Sequence, residues 1–346
     1  MSVARREAES GLVLMMVLVF ALLLVGSVAT LSRQAVIDDA IARNRENRER
    51  ADGLARGGVE FAKALILADK AIDGGEPGME TGEDLWAKIA EQEIEAPGGA
   101  SLRLRIEDAG ARLNLNAVAR GSKGDDLVRP EGEALLQALL EKVTDEMPIA
   151  PGEKIYDVSE LATHLLDFVD ADQDSLDGGD ESRAYEYRAP NEPGPANRPL
   201  LSVDELRAVP GFDAKLVKAL KPYVTVHPFG ARSGINPNTA PPHVLALIFS
   251  DDGVRRTLAD ENTVREILKI RQEEGFLCGE SQSGDGCTPM STIMPNSDGI
   301  FPPLSFESDV FVVVSEARVG SIRRSLEVVL DRSAAPAVSL LSWRIL

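Results

Sequence analysis

The sequence is poor in cysteine, histidine and positive charge, and each shortage removes a class of function. Three histidines, His164, His227 and His243, occur in 346 residues. They are widely spaced and none falls in an H-E-x-x-H pattern, so the helix of a zinc protease is excluded. There is no G-x-S-x-G elbow and no G-x-x-x-x-G-K-[ST] phosphate loop. Basic residues number 37 against 56 acidic ones, for a net charge of −19 and a pI near 4.7. A surface of that sign repels phosphate backbones and anionic lipid heads, and it favours basic partners and divalent cations. Neither an enzyme nor a nucleic-acid binder is visible in these numbers.

The two cysteines, Cys278 and Cys287, flank a Gly- and Ser-rich loop. Outside the cytosol such a close pair reads as a disulfide, whose closure stabilises by about 2.5–3 kcal/mol on the chain-entropy scale. In a reducing compartment the same pair is two free thiols. No further cysteine or nearby histidine completes a zinc site.

What the sequence does have is one long oily run. Leu12 to Leu31 is uncharged throughout, enough to cross a ~30 Å hydrocarbon layer at ~1.5 Å per residue. Three fates are open to it. It is a signal peptide removed near Ser27–Ser32, a retained anchor, or a helix that leaves the membrane to join a fibre. Arg5 and Arg6 ahead of it favour a cytoplasmic amino terminus and an exported body. Helical patterning continues past the span. Gln34 to Asp69 lacks proline, residues 43–50 carry charges of both signs, and Leu54, Val59, Phe61, Ala62, Leu65 and Ile66 form an apolar stripe. Gly53, Gly57 and Gly58 weaken this stretch by about 1 kcal/mol each relative to alanine.

Residues 73–78 break the helix. Ser101–Ile106 alternates with period two and reads as a half-buried strand, with Arg112–Asn116 as its partner across a turn at Asp108–Gly110. Val310–Arg318 and Ser321–Leu330 read as a hairpin about Val319-Gly320. Between them, from about Pro130 to Glu274, the patterning is mainly helical, which predicts an α+β fold: a small antiparallel sheet with a large helical insertion. Leu113–Ala117 and Ile235–Ala240 echo each other before helices, either as two Asn-based turn devices or as an internal duplication, with Thr239 as a candidate N-cap.

Two segments are candidates for chemistry. In the acidic loop 167–181, Asp170, Asp172 and Asp174 fall at the first, third and fifth places of an EF-hand-like count, and Glu181 at the twelfth. Asp177 and Asp180 add further carboxylates. No basic side chain relieves the repulsion, so a hard cation is expected, Ca²⁺ before Mg²⁺. Ser175 stands where an EF-hand needs glycine. The second segment, Ser202–Leu220, has a capping box (Ser202, Glu205) and a turn at Val209–Phe212, as in a helix-hairpin-helix. Asp213 there opposes a phosphate, so protein packing is the expected role. A membrane-bound nucleic-acid-uptake protein and a tethered calcium-dependent hydrolase are the rival classes.

The basic leader, Gly11, the uncharged span, Leu113–Asn116, Leu166–Asp172, Ser202–Leu206 and Ile235–Ala240 occur in an order that resembles the minor pseudopilin K family of type II secretion systems. The likeness covers nearly the whole chain. It implies a leader (1–11) cut by prepilin peptidase between Gly11 and Leu12, and a membrane-spanning, then amphipathic helix (12–70). It also implies a pilin-like sheet in two parts (71–116 and 305–346) and an inserted helical domain (117–304) that binds calcium. Met16 occupies the place where most pilin-like subunits carry a glutamate, as expected of a subunit with nothing above it at a fibre tip. The implied partners are the I and J minor pseudopilins, other pseudopilins and the inner-membrane secretion platform. The implied location is a single pass of the inner membrane with the body in the periplasm.

Overall fold

The first helix, α1 (Val3–Ile72), is one uninterrupted element with two contrasting surfaces. In the computed structural model the described residues are 3–72, 79–89, 92–119, 130–148, 155–186, 194–228, 234–251, 253–273, 275–280 and 286–346, with side chains from 13 onward. The large apolar side chains from Val13 to Leu31 all face outward, and this segment is long and apolar enough to cross a membrane. From Ala51 the character changes: Ala51, Ala55, Val59, Ala62 and Ile66 recur every three or four residues and are buried, one face of a helix laid on a sheet. Small residues bring the backbone close. A Cβ on Gly58 would lie 2.3 Å from Ser315 Oγ and 2.9 Å from Leu102 Cδ1, while Ser315 Oγ donates to Ala55 O at 2.8 Å. The glycine that weakens the isolated helix is what seats it.

Along the chain follow α2 (Leu85–Lys88), β1 (Glu93–Ala96), β2 (Ala100–Asp108), β3 (Leu113–Asn114), α3 (Leu115–Ala119), α4 (Pro130–Glu146), α5 (Val158–Val169) and α6 (Ala214–Leu220). Then come β4 (Val224–Thr225), α7 (Pro242–Leu245), β5 (Phe249–Asp251), β6 (Arg256–Leu258), α8 (Glu261–Glu273), β7 (Phe276–Cys278), β8 (Cys287–Pro289) and β9 (Ile300–Phe301). The chain closes with β10 (Val310–Val319), β11 (Ile322–Asp331) and β12 (Ser339–Ile345). The main sheet runs β1-β2-β10-β11-β12, antiparallel at every pairing. Leu104 pairs with Ser315 and Ile106 with Val313, so every second residue of β2 and β10 faces α1. Leu102, Leu104, Ile106, Phe311, Val313, Val328 and Leu330 are buried there.

The helical domain therefore enters after β2 and returns at β10, the α+β architecture expected, with a core of its own around Leu135, Leu139, Leu165, Leu166, Leu216 and Val244. Two local readings are corrected. Arg112–Asn116 is not the partner of the preceding strand: Leu113 and Asn114 pair in parallel with Val224 and Thr225, and Leu113 and Leu115 belong to the helical core. Thr239 caps no helix. Its hydroxyl donates to Asp108 Oδ2 at 2.7 Å, and Pro241 precedes α7 without a side-chain cap. The segment 334–346 supplies edge strand β12, which leaves Leu340, Trp343, Ile345 and Leu346 exposed.

The two Asn segments are the same device used twice. Asn114 Oδ1 accepts from Asn116 N, and Asn236 Oδ1 from Asn238 N, both at 3.0 Å. The second Asn of each pair then binds a distant segment as a backbone would. Asn116 exchanges two bonds with Leu200 (2.9 and 2.8 Å) and donates to Val226 O (2.8 Å). Asn238 exchanges two with Leu277, each 2.8 Å.

Candidate metal site

Helix α5 begins with a cap, Asp157 Oδ1 accepting from Glu160 N at 3.1 Å, and buries Leu161, Leu165, Leu166 and Phe168 in the helical core. That packing fixes its last turn, where Asp167 lies one turn ahead of Asp170, on the same face. The acidic loop then doubles back through a bridge between Asp174 and Asp180. Gly178 (φ 86°) and Gly179 (φ 103°) allow the reversal, because only glycine takes such angles freely. The reversal delivers Glu181 into the space beside α5.

One carboxylate oxygen from each of Asp167, Asp170 and Glu181 lies within 4.8 Å of the others. Glu181 is buried to 2 % exposure and Asp167 to 5 %. Neither Glu181 oxygen meets a hydrogen-bond donor among the described residues. Burial, then the charges of Asp170 and Asp167, push its pKa up to about 8. Burial raises Asp167 too, against opposing bonds from Ser175 and Leu176.

Of the six carboxylates expected to bind metal, the structure brings only Asp170 and Glu181 into this cluster. Asp172, Asp174, Asp177 and Asp180 lie outside it, on the exposed turn. Two of them serve local geometry: Asp172 Oδ1 accepts from Asp174 N, and Asp180 Oδ1 from Ser182 N, each at 2.8 Å. The count fails because the loop folds back on itself before its twelfth place. Asp167 was outside the count, and so was Asn197, which is held in the left-handed region (φ 46°). Asn197 Nδ2 donates to Asp172 O, its N to Phe168 O at 3.1 Å, and its buried Oδ1 has no donor among the described residues. Clustered carboxylates are the donor set of a hard cation, and a neutral amide oxygen is a further ligand of the same kind.

A second acidic group shows the contrast. Asp69, Glu80 and Asp84 also converge, but Arg332 lies among them. Its Nη1 is 3.3 Å from Asp69 Oδ2, and its Nη2 bonds Glu80 Oε1. Trp86 Nε1 donates to the other Glu80 oxygen at 2.9 Å. That group carries its own counter-charge. Among the described residues, no Lys or Arg forms an ion pair with Asp167 or Glu181.

The helix-hairpin-helix-like turn faces inward. Val209, Pro210 and Phe212 are buried, and a Cβ on Gly211 would meet Leu161 Cδ2 at 2.6 Å. His164 Nδ1 lies 3.3 Å from Pro210 O. Asp213 caps α6 through Leu216 N (2.8 Å) and accepts from the Tyr156 hydroxyl (2.9 Å). The first helix of the pair is a 3-10 turn, Val203–Ala208.

Cys278 and Cys287 are joined by a disulfide, with Cα atoms 5.8 Å apart. Met16 lies on the outward surface of α1, 60 % exposed. Gly11 and Leu12 are on the helical backbone, but their side chains lie outside the described residues.

A family model described as type II secretion system (T2SS), protein K matches residues 111–229. Type II secretion system protein K of Pseudomonas aeruginosa is 30% identical over 332 residues, an alignment spanning 94% of this chain and 90% of that protein. The Klebsiella pneumoniae protein of the same name is 29% identical over 78% of this chain and 77% of its own length. A solved chain from the GspK–GspI–GspJ complex of enterotoxigenic Escherichia coli superposes with a TM-score of 0.62 at 21% identity, covering 88% of this chain and 98% of that one. That last likeness is one of fold.

Proposed function

The chain belongs to the type II secretion system protein K family, and from that premise we propose that it is a non-enzymatic minor pseudopilin. It caps the tip of the secretion pseudopilus, promotes its assembly and so the export of folded proteins across the outer membrane. The observation that carries this reading is the continuity of α1: one rod offers an uncharged half to lipid and a small-residue half to the sheet. An ordinary tethered body has no need of a rigid junction there. A fibre subunit does, because the rod must be drawn from the bilayer without letting the body go.

Prepilin peptidase, in this reading, cuts between Gly11 and Leu12, and the body lies in the periplasm behind a single inner-membrane pass. An oxidising compartment suits the Cys278–Cys287 disulfide. Met16 puts no carboxylate at the membrane-embedded, amino-terminal end of the rod. A carboxylate there would cost several kcal/mol in lipid unless a neighbour's amine met it, and a tip subunit has no such neighbour. The E. coli complex supports the I and J pseudopilins as partners; other pseudopilins and the inner-membrane platform follow from the same role. Calcium is held by the converging carboxylates of Asp167, Asp170 and Glu181, with Asn197 Oδ1 as a neutral ligand.

Two measurements test the proposal. The mass of the mature protein from membranes is expected to correspond to a chain starting at Leu12. The full chain in detergent is expected to co-purify with its cognate I and J subunits. A start at Met1 or beyond Thr30, or failure to bind either subunit with calcium present, overturns it.

A further inference from the structure

Three rows of side chains cross the main sheet on the face that carries α1, and each runs one strand beyond its cover. Ile106, Val313, Val328 and Trp343 stand side by side on β2, β10, β11 and β12, because directly opposed residues of an antiparallel ladder share a face. Leu104, Ser315, Leu326 and Ile345 form a second row, and Phe311, Leu330 and Leu340 a third. The inner members of the first row are core: Ile106 is 3 % exposed, Val313 0 % and Val328 3 %. The outermost members of all three are in solvent, Trp343 at 57 %, Ile345 at 67 % and Leu340 at 49 %.

The cause is the width of the cover. Helix α1 lies over β2, β10 and β11, and one helix, about 10 Å across with its side chains, spans only two or three strands at ~4.8 Å each. Strand β12 continues the apolar face without a lid. Contiguous exposed apolar surface marks an interaction site, and a tryptophan at its centre is of the type that dominates interface energies.

The geometry narrows the occupant. Lipid is out of reach. Ser315 Oγ bonds Ala55 O at 2.8 Å, so Ile345, in the same row, stands level with Ala55, about 36 Å along α1 from the end of the apolar span at Leu31 at ~1.5 Å per residue. A second copy brings its own net charge of −19 against the first and is repelled. A strand added to the edge of β12 would pair its outer N–H and C=O groups, but it would widen the uncovered face by one more strand. A helix covers that face. Packed at the usual ~8–10 Å from α1, a second helix lies above β12 in the same layer. The flank of α1 that borders this place carries a charge to be met. Asp52 pairs with Arg324 of β11 at 3.0 Å, and Arg56, one turn on and on the same side, is exposed and forms no ion pair among the described residues.

We propose that β12 is the docking shelf for an amphipathic helix of a partner pseudopilin, with its apolar stripe on Leu340, Trp343 and Ile345 and an acidic residue facing Arg56. This rests on the pseudopilin reading above, and it adds the surface, the element and the chemistry of the contact.

The full chain is purified in detergent with its cognate I and J subunits, carrying the photo-crosslinker p-benzoyl-phenylalanine in place of Trp343 or of Ser342. Ser342 pairs with Val329 and lies on the opposite face of β12. Irradiation is expected to link position 343 to the I or J subunit, within a segment whose apolar residues recur every three or four positions, and to leave position 342 unlinked. Trp343→Ser is expected to weaken binding of that subunit at least tenfold, without changing the thermal midpoint of the chain alone. A complex that forms without a link from 343, equal links from 342 and 343, a link to a second copy of this chain, or binding unaffected by Trp343→Ser overturns the inference and leaves the pseudopilin reading standing. No complex with either subunit overturns both. Should Trp343→Ser shift the midpoint, the two link positions decide alone.

Discussion

Arg332 Nη1 lies 3.3 Å from Asp69 Oδ2, across 263 residues of sequence. The same guanidinium bonds Glu80, donates from Nε to Ser308 O (3.2 Å) and from Nη1 to Ile66 O (3.0 Å), and stacks 4.8 Å from the Phe311 ring centroid. One buried side chain thus ties the end of the rod, the segment after it and the end of β11. Breaking a buried ion pair from one side strands the opposite charge and typically costs about 3–5 kcal/mol. Arg332→Met is therefore expected to lower the stability of the body by that order, seen as a lower urea midpoint with unchanged slope. Adding Asp69→Asn and Glu80→Gln to it, which removes the stranded charges and keeps an acceptor for Trp86 Nε1, is expected to recover part of the loss; a near-neutral single mutant refutes the role.

Gly53 and Gly58 look alike in sequence and are expected to respond oppositely to alanine. Nothing lies within 4 Å of a Cβ built on Gly53, whereas on Gly58 it meets Ser315 Oγ at 2.3 Å. Gly53→Ala gains helix propensity, about 1 kcal/mol. Gly58→Ala gains the same intrinsic term but lifts the rod from β10 and costs about 1–3 kcal/mol net of overpacking. Thermal midpoints of the two proteins moving in the same direction contradict this.

Local pattern carried much of this fold before any coordinates. The rod, the hairpin of β10 and β11, and the helical insertion each follow from periodicity within one segment. What failed needed a distant partner. Arg112–Asn116 alternates like a strand, but its ladder partner is Val224–Thr225, far along the chain. Thr239 has the chemistry of a cap, and Asp108 took it instead. At the candidate metal site, Asp170 and Glu181 were legible as acids in a loop without bases. Asp167 was readable only by noticing that it precedes Asp170 by one helical turn. Asn197 gave no signal, since tertiary packing alone brings it to Asp172.

The paired Asn devices make a further prediction. Asn238 saturates the N–H and C=O of Leu277 inside the core, and Asn116 does the same for Leu200. Leucine at either position leaves those backbone groups buried and unmet, at about 1–3 kcal/mol each. Asn238→Leu is expected to destabilise by about 2–5 kcal/mol, and amide exchange at Leu277 should accelerate well beyond that of the main sheet. Exchange at Leu277 unchanged from the parent rules the clamp out.

The proposed calcium site predicts that metal removal and pH act together through Glu181. Its pKa in the fold stands at about 8, above the ordinary value of 4.5. The fold therefore prefers the protonated acid. Below about pH 4.5 both folded and unfolded chains hold that proton, and nothing is lost. Between 4.5 and about 8 the unfolded chain has released it while the folded chain still holds it, so stability without metal must fall as pH rises through this window. A bound cation reverses the preference, because it favours the ionised carboxylates and displaces the proton. Urea unfolding in chelator is thus expected to show stability declining from pH 5 to 8, and saturating Ca²⁺ to abolish or invert that slope. Glu181→Gln removes the titrating group, so its slope in chelator should be smaller and its calcium response weaker. A slope that persists in Glu181→Gln places the titration elsewhere, and identical curves with and without Ca²⁺ leave the pocket without its ion.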